Sequence, residues 1–376
     1  MPQRILHINL TTTALLHYSV HFARALHNTL PEGALSILEQ RASESQLLTK
    51  TLHQIPVHYL PFRTLKDKLH TLRRVVDIAR NYHPDIIHFT DGFERPLYGF
   101  YLFPMLSRLA PIVATVHDPV PHSGVKLSII DRFAARMAET HCSQFIVHGP
   151  ECKKQALKRG LPAQKISVIR HGILDLLTTP NGSTITREPE TILYFGRFQP
   201  NKGADLLPEI SEKVHSVFPN ARFIVAGEIS GLLRGKASQH WIQSFRIMLA
   251  SMKHSRYFEV HDRYIRDEEV EQFFHRASIV LLPYRDASQS GVASLAMAYG
   301  NAIVATRVGD LPEIIEQNVT GLLCDPTPTD LSAGICQLLS RPEDIVRLGN
   351  AAQDFIHREC NWHKIMEQTV TMYNTL

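Results

Sequence analysis

Short apolar runs alternate with helical patterns along almost the whole chain, and this alternation restricts the possible folds more than any other feature. Buried strands that alternate with amphipathic helices predict a parallel sheet covered by helices on both faces. Before residue 174 the predicted strands are 5–8, 35–38, 86–88, 112–115, 145–147 and 168–169. Among the helical segments, 63–81 carries apolar residues at helical spacing. Its predicted apolar stripe consists of Leu65, Leu69, Leu72, Val76 and Ala79.

A polar segment at 174–190, which contains Pro and Gly, interrupts the alternation and predicts a linker. Beyond it the alternation restarts, and a chain of 376 residues is longer than most single hydrophobic cores. We therefore predict two α/β domains with Rossmann-like, doubly wound sheets, at 1–173 and 185–358. The amphipathic segment 359–376 is predicted to be a helix that packs back on the first domain. The strands predicted in the second domain are 192–195, 223–226, 258–260, 279–282, 302–305 and 322–323.

The bulk composition excludes several classes of protein. A hydrophobic share of 44% and a charged share of 20% are typical of a globular chain. A net charge of +4 is small for a nucleic-acid binder, but it suits an anionic ligand such as a nucleoside diphosphate. None of the five cysteines stands in a C-x-x-C pair, which argues against disulfides and structural zinc.

Two apolar segments could suggest a membrane span or a signal peptide, and the sequence of each argues against that interpretation. The apolar segment 98–116 contains Pro104, Arg108 and Pro111, so it is predicted to be a helix and a buried strand and not a membrane span. The N-terminus predicts a first strand and not a signal peptide. We therefore expect a cytoplasmic protein with reduced cysteines.

The first candidate site is the turn that follows the strand at 192–195. The strand ends at Gly196, Arg197 follows, and Lys202 with Gly203 is predicted to open a helix. Two cations beside a helix N-terminus form a pocket suited to a diphosphate. The alternative is an ordinary strand–turn–helix connection with two solvated basic residues.

The second candidate site follows the strand at 279–282. The sequence Ser288-Gln-Ser290-Gly291 leads into an Ala-rich segment that is predicted to be a helix. Small residues at this turn allow backbone N–H groups to approach a phosphate closely. The alternative is a helix N-cap with tight packing, because Ser and Gly serve that purpose too.

Further runs extend these motifs along most of the chain. They comprise D-I-I-H at 85–88, T-V-H-D at 115–118, V-I-R-H-G at 168–172, G-R-x-x-x-x-K-G at 196–203, A-x-x-x-x-x-P at 277–283, A-M-A-x-G at 296–300, V-A-T-x-x-G-x-x-P-E at 304–313 and T-G-L-L at 320–323. Together they resemble the motifs of glycosyltransferase family 4, the retaining enzymes of GT-B fold, most strongly in the second half. The resemblance implies two Rossmann-like domains that face each other across a cleft.

The resemblance also implies a function and a set of site residues. The implied reaction transfers a sugar from a nucleoside-diphosphate donor, bound by the second domain, to a carbohydrate or lipid-linked acceptor, bound by the first. Arg197 and Lys202 match the pair that stabilises the leaving diphosphate. His117 matches the histidine that reaches the transferred sugar, and Ser290 with Gly291 matches the turn that faces the distal phosphate.

Two further residues and the lack of a metal-binding motif complete the predicted site. Gly196 belongs to the matched donor loop, and Tyr264 lies where the family holds the nucleotide base. The chain contains no D-x-D triplet, which is consistent with metal-independent chemistry. No cofactor is expected besides the sugar nucleotide, which is a substrate.

Two departures from the family pattern affect the donor site. Most members carry two glutamates eight positions apart, and here those positions are Ala287 and Leu295. Leu295 cannot hydrogen-bond a ribose, and Asp286, Ser288 and Ser294 are candidates to replace the lost contacts. The first glycine-rich loop is also absent. In its place stands the segment 9–18, whose candidate substrate residues are Thr11, Thr12, Thr13 and His17.

Three alternatives remain open at this stage. The lost glutamates favour a non-catalytic scaffold or partner subunit, whereas the retained cations favour an enzyme. A sugar-nucleotide epimerase of the same fold would form its product without an acceptor. The basic residues at 63–74 and 153–159 are either a solvated surface or, as in some members of the family, a surface that docks on anionic lipid at the inner face of the membrane.

Overall fold

The strands form two separate sheets, and each paired strand runs parallel to its neighbours. The structure is a computed structural model that describes residues 2–11, 15–43, 46–90, 96–120, 128–174, 186–231, 233 and 236–376. Thr12 and Thr13 of the predicted substrate loop lie outside the described residues, as does most of the predicted linker. The chain divides into two compact units. The first comprises the described residues of 1–120, 127–172 and 360–376, and the second comprises those of 173–359.

The first unit contains a seven-stranded sheet in the order β3-β2-β1-β4-β5-β6-β7. Its strands are β1 (Ile5–Asn9), β2 (Ala34–Glu39), β3 (Val57–Leu60), β4 (Ile86–Phe89), β5 (Ile112–Thr115), β6 (Cys142–Val147) and β7 (Ile166–Val168). The strand order reverses at β1, which pairs with both β2 and β4. In doubly wound sheets, ligands bind outside the carboxyl ends of the strands at such a reversal.

Helices cover this sheet. They are α1 (Leu15–Thr29), α2 (Gln46–Thr51), α3 (Leu65–Tyr82), α4 (Phe103–Leu106), α5 (Ile129–His141) and α6 (Pro150–Arg159). A π-helical turn, Tyr98–Leu102, precedes α4. The final helix of the chain also belongs to this unit, and its Trp362, Ile365, Val370 and Tyr373 are buried.

The second unit repeats the same doubly wound order, β10-β9-β8-β11-β12-β13. Its reversal lies at β8, which pairs with both β9 and β11. Its strands are β8 (Thr191–Phe195), β9 (Arg222–Gly227), β10 (Phe258–Asp262), β11 (Ile279–Leu282), β12 (Ala302–Thr306) and β13 (Leu322–Cys324). The remaining helices of the chain are α7 (Leu207–His215), α8 (Lys236–Lys253), α9 (Asp267–Arg276), α10 (Gly291–Ala298), α11 (Pro328–Leu339), α12 (Pro342–Glu359) and α13 (Trp362–Tyr373).

Each unit has its own apolar core between sheet and helices. Each predicted strand overlaps a strand of the structure, although the one predicted at 168–169 is displaced, because β7 ends at Val168. One edge strand, β3, was not predicted. The predicted apolar stripe of α3 is wrong at its N-terminal end, because Leu65 and Leu69 are exposed. The first turn of the helix is stabilised by the capping box of Thr64 and Asp67 and not by burial of these leucines. Among the described residues, no helix is both long and apolar enough to cross a membrane.

Candidate active site

The loop that follows β8 lies at the strand-order reversal of the second unit. Gly196 has φ of 117°, and its N–H donates to the Ala226 carbonyl at 2.9 Å, so the chain stays close to β9. Arg197 and Lys202 follow in this loop, and both side chains are partly exposed. A helical segment opens directly after Lys202 and Gly203, as predicted, but its first turn is 3₁₀ and not α-helical. Gly203, with φ of 67°, is the N-cap of the 3₁₀ turn Ala204–Leu206, and α7 begins at Leu207.

The loop that follows β11 ends where α10 begins, as predicted. Ser290 is the N-cap of this helix, and its Oγ accepts a hydrogen bond from the Ala293 N–H at 3.1 Å. Gly291 is the first helical residue. Ser288 is buried, Asp286 is partly exposed, and both lie in the same loop. The loop therefore places the N-terminus of α10, which is the positive end of the helix dipole, at the carboxyl ends of the strands, where a ligand is expected.

A set of polar contacts joins these two loops. The Arg285 guanidinium forms a two-pronged salt bridge with the Asp205 carboxylate, with both N–O distances at 2.7 Å. The Arg285 N–H donates to the Asn201 carbonyl at 2.8 Å, and the Asn201 side chain donates to the Asp286 carbonyl at 3.3 Å. The loops that carry Lys202 and Ser290 are therefore held side by side.

Tyr284 touches both predicted phosphate-binding elements. The Lys202 ammonium lies 3.8 Å from the centroid of the Tyr284 ring, and the Tyr284 hydroxyl lies 3.2 Å from Ser290 Oγ. Neither Tyr284 nor the Arg285–Asp205 pair was singled out from the sequence. Tyr284 lies 82 positions from Lys202, and Arg285 lies 80 positions from Asp205. A single sequence carries no signal for contacts between residues so far apart.

Tyr264 follows β10 and is 58% exposed. Partial burial raises the pKa of its phenol, the acidic side chains of Asp267 and Glu228 raise it further, and Arg197 opposes the rise. Arg197 and Glu228 therefore both lie within electrostatic reach of this ring. Tyr264 follows β10, Glu228 follows β9 and Arg197 follows β8, so the three residues lie beyond the carboxyl ends of three consecutive strands of the sheet. The sequence did not single out Glu228.

The two positions that lack glutamates are both buried. Ala287 has no exposed surface, and the backbone of Gly309 lies so close that a Cβ there would sit 1.5 Å from the Ala287 carbonyl oxygen. Leu295, on α10, is 6% exposed. An ionised carboxylate at either position needs a partner to offset its desolvation, and the apolar residues present avoid that cost.

The first unit has its own polar cluster at the carboxyl ends of β1 and β4. The Asn9 side chain accepts from the Thr11 N–H at 3.1 Å and donates to the Thr90 carbonyl at 3.2 Å. The buried His7 ring lies between Ser36 Oγ at 3.1 Å and Thr90 Oγ1 at 2.8 Å. Burial lowers the pKa of His7 to about 3, so this ring is neutral. Thr11 is therefore held in place by the strand ends, whereas His17 lies on α1 and is half-buried.

His117 follows β5 and is 5% exposed. Its Nδ1 lies 3.2 Å from His148 Nε2, and His148 Nδ1 lies 3.0 Å from the Ile169 carbonyl. A carbonyl can only accept, so a neutral His148 donates from Nδ1 and accepts at Nε2. It follows that His117 donates from Nδ1 and leaves Nε2 as an acceptor. Among the described residues, His117 Nε2 has no hydrogen-bond partner.

The surroundings of His117 keep it neutral. Burial is the main cause that holds its pKa well below the usual range, and His148 and His171 add to the effect. The Asp118 carboxylate and the Thr90 main chain oppose it. The Tyr18 ring packs edge-on against His117 with centroids 4.7 Å apart. The site therefore presents a neutral acceptor nitrogen, which suits a sugar hydroxyl better than a phosphate.

Comparisons with known proteins bear on both units. The family model described as glycosyltransferase family 4 matches residues 21–174, and the model described as glycosyl transferases group 1 matches residues 189–341. An uncharacterized glycosyltransferase of Methanocaldococcus jannaschii, MJ1178, is 26% identical over 334 residues, which span 89% of this chain and 87% of that protein. D-inositol 3-phosphate glycosyltransferase of Segniliparus rotundus is 28% identical over 196 residues, or 50% of this chain and 42% of that protein.

Solved structures show the same fold. Anabaena HepE in complex with UDP and glucose superposes over the whole of both chains with a TM-score of 0.75 at 18% identity. The two family models together span most of the chain, one on each unit. The chain has the GT-B fold and belongs to the glycosyltransferases, with its first half in glycosyltransferase family 4 and its second in glycosyl transferases group 1.

Proposed function

We propose that this glycosyltransferase transfers a sugar from a nucleoside-diphosphate donor, with retention of configuration and without a metal ion, to a carbohydrate or lipid-linked acceptor. The observation that carries the proposal is the pair of joined loops in the second unit. They place Lys202 and the capped N-terminus of α10, with Ser290 and Gly291, side by side. The complex of HepE with UDP supports a uridine nucleotide as the first donor to test.

In the proposed reaction the bond between the anomeric carbon and the phosphate oxygen breaks. A bond to the acceptor oxygen forms on the same face of the sugar. The acceptor proton passes to the departing phosphate oxygen, so no protein base is required. Arg197 and Lys202 stabilise the negative charge that builds on the leaving group, which is how fixed cations accelerate such a step. Because these two side chains supply the positive charge that a metal ion would otherwise provide, the proposed reaction needs no metal ion.

His117 has a separate proposed role in the first unit. Its Nε2 accepts a hydrogen bond from a hydroxyl of the transferred sugar, and the His148 contact holds the ring in the required tautomer. This bond orients the sugar rather than the phosphate. Replacing His117 by Asn is therefore expected to weaken UDP-glucose binding while leaving UDP binding within about twofold.

The first experiment is a thermal-shift screen of the protein with UDP, GDP, dTDP and ADP. A ligand at a hundred times its Kd adds about 2.7 kcal/mol to stability, which is a shift of several degrees. We expect one nucleotide to stabilise the wild type and to have a clearly smaller effect in Arg197→Ala and Lys202→Ala. Lys213→Ala, at a partly exposed cation on α7, is the matched control. If no nucleotide stabilises the wild type, the proposed donor site is wrong.

Retention and metal independence need their own measurement. The measurement is hydrolysis of UDP-glucose in the absence of an acceptor, followed by proton NMR at a protein concentration at which release is faster than interconversion of the two glucose anomers. Release of α-glucose from UDP-glucose, at the same rate with and without EDTA, is the expected result. Initial release of the β-anomer would contradict retention, and loss of activity in EDTA would contradict metal independence.

A non-catalytic scaffold is the second candidate, because Ala287 and Leu295 replace the two glutamates of most family members. The same assays separate the candidates. A scaffold would neither bind a nucleotide nor turn over a sugar nucleotide. An epimerase would convert the sugar nucleotide to an isomer without any acceptor, which NMR of the donor alone detects.

We also propose that the first unit docks on anionic lipid, which would give access to a lipid-linked acceptor. The N-terminal half of α5 exposes large apolar side chains, and Ile129 is 85% exposed. The Phe133 ring packs against the exposed Phe100 ring, with 5.9 Å between their centroids. The segments meet closely, because a Cβ at Gly99 would lie 2.0 Å from the Ala134 carbonyl oxygen. The first unit also exposes basic residues: Arg132 and Arg136 on α5, and Arg63, Lys66, Arg73 and Arg74 in the segment of α3.

Flotation with vesicles of phosphatidylglycerol and phosphatidylcholine tests this docking. Ile129→Ser combined with Phe133→Ser is expected to abolish co-flotation, and high salt is expected to weaken it. Val217→Ser combined with Ile247→Ser, at two exposed apolar residues of the second unit, is the control. Absence of wild-type binding to the anionic vesicles would remove the proposal.

A further inference from the structure

We infer that Tyr284 is a positioning residue that holds Lys202 and Ser290 toward the same diphosphate, an inference that rests on the proposed donor site. Tyr284 lies two residues after β11 and is 2% exposed. Its ring faces the Lys202 ammonium and its hydroxyl contacts Ser290 Oγ. One side chain thus touches both elements that the proposed function assigns to the phosphates.

The ring contact orients the cation without neutralising it. Within the described residues Lys202 forms no salt bridge, and the Tyr284 ring lies 3.8 Å from its Nζ. A carboxylate in that place would cancel the charge that the leaving group needs. An aromatic face attracts the ammonium through its quadrupole and leaves the full charge available. The geometry therefore restricts where the flexible lysine points while preserving its electrostatic effect.

The hydroxyl contact has a similar consequence for Ser290. The Ser290 oxygen already accepts from the Ala293 N–H. When the Tyr284 phenol donates to the same oxygen, the Ser290 proton is left to donate to a phosphate oxygen. The helix cap, the serine proton and the lysine charge then converge on one ligand.

The backbone around Tyr284 is fixed independently of its side chain. The Thr306 hydroxyl donates to the Tyr284 carbonyl at 2.6 Å, and a Cβ at Gly203 would lie 1.8 Å from the neighbouring Pro283 carbonyl oxygen. Substitution of the ring is therefore expected to change the direction of Lys202 more than the path of the loop.

The test compares UDP affinity in four proteins by calorimetry: the wild type, Tyr284→Leu, Lys202→Met and the double variant. Cation–π contacts contribute about 0.5 to 2 kcal/mol, so Tyr284→Leu should weaken UDP binding by about 2- to 30-fold. In the Lys202→Met background the same substitution should cost clearly less affinity, because only the part of its effect that passes through Ser290 remains. Tyr284→Phe, which retains the ring, should restore most of the affinity.

Tyr299→Leu is the matched control, because Tyr299 is another buried tyrosine of the second unit that stacks on Phe274. It should lower stability without a selective loss of UDP affinity. Equal losses from Tyr284→Leu with and without Lys202 would show a merely structural role and overturn the inference. So would unchanged affinity in Tyr284→Leu. If the wild type binds none of the four nucleoside diphosphates, the proposed donor site itself fails.

A measurement without ligand keeps the inference testable if Tyr284→Leu does not fold. Reductive methylation with ¹³C-formaldehyde labels each lysine, and the Lys202 signal is assigned by its absence in Lys202→Arg. An ammonium over a tyrosine ring lies in the ring's shielding region, so its methyl signal should be shifted upfield from the other lysines. A Lys202 signal without this shift in the wild type would overturn the inference.

Discussion

The indole of Trp362 stacks on the imidazole of His21, with ring centroids 5.7 Å apart and 11° between the planes. Trp362 begins α13, near the end of the chain, and His21 lies on α1, near its beginning. The backbone of Gly172 also meets this indole, because a Cβ there would lie 2.4 Å from the ring. Trp362 therefore joins three distant segments of the first unit.

Trp362→Ala is expected to lower the free energy of unfolding of the first unit by about 3–5 kcal/mol, as for other large buried aromatics. The two units need not unfold together, so hydrogen exchange resolved by peptide is the appropriate measurement. Exchange should accelerate in α1 and α13 first. The neighbouring exposed residue gives the control, His363→Ala, and equal protection in the two variants would contradict the assignment.

Tyr373 holds the last turn of α13 against the sheet. Its hydroxyl is hydrogen-bonded to His88 Nδ1, and His88 Nε2 lies 2.8 Å from Thr115 Oγ1. Tyr373→Phe leaves the buried His88 Nδ1 without this partner and should cost about 1–3 kcal/mol. Chemical denaturation of the variant measures the loss. Thr371→Ala on the exposed face of the same helix should change stability by less than about 0.5 kcal/mol.

The buried histidines of the first unit make its stability sensitive to acid. Burial lowers the pKa of His7 to about 3 and also lowers the pKa values of His21, His88 and His117. In the unfolded chain each ring binds a proton below about pH 6.5. The unfolded state then binds more protons than the folded state, so stability is present above pH 6.5 and is lost as pH falls toward the folded pKa.

A variant tests this sign and its origin. Below pH 6.5, each such ring contributes about 1.4 kcal/mol per pH unit to the slope of stability against pH. For His21, burial is the first cause of the lowered pKa, and the charges of Arg24, His17 and His171 add to it. His21→Phe keeps a ring beside Trp362 and removes one titrating group, so its slope between pH 6 and 5 should be smaller by about this amount. Parallel curves for variant and wild type would be evidence against the prediction.

The sequence predicted the fold well where the physical signal is local. Central strands of a parallel sheet are buried on both faces, so they appear as continuous apolar runs. The missed strand, β3, lies at the sheet edge, and only its last residue, Leu60, is buried. The α3 stripe failed for a related reason: helical spacing shows which residues share a face, not how far along the helix the core extends.

The candidate site divides in the same way. Gly196, Ser290 and Gly291 lie in short motifs whose backbone requirements are visible locally. The contact of His117 with His148 and that of Lys202 with Tyr284 join residues 31 and 82 positions apart. Such pairs depend on which strands neighbour each other, and a single sequence does not specify which side chains meet there.

The hydrogen-bonded pair of His117 and His148 predicts an unusual tautomer. Since the Ile169 carbonyl fixes the proton of His148 on Nδ1, His117 should carry its proton on Nδ1 and not on Nε2. Long-range ¹H–¹⁵N NMR, with the His117 signals assigned by their absence in His117→Gln, reports this state directly. A proton on Nε2 would refute it. His148→Phe removes the acceptor, and His117 is then expected to shift toward the Nε2–H form.

Gly203 should be the least replaceable residue of the donor loop. Its φ of 67° favours glycine, and an added Cβ would lie 1.8 Å from the Pro283 carbonyl oxygen. The conformation alone costs alanine about 1 kcal/mol, and the contact forces the loops that carry Lys202 and Tyr284 apart. Gly203→Ala should therefore lower both the stability of the second unit and its affinity for UDP.

Gly231→Ala is the matched control for this prediction, because a Cβ at Gly231 meets no described atom within 4 Å. It should leave both quantities near their wild-type values. Thermal unfolding with and without UDP measures the two effects together. If Gly203→Ala loses stability but keeps wild-type affinity, the close approach of the two loops supports the fold alone. If Gly203→Ala is also stabilised less by UDP than the wild type is, the joined loops are part of the donor site, as the proposed function requires.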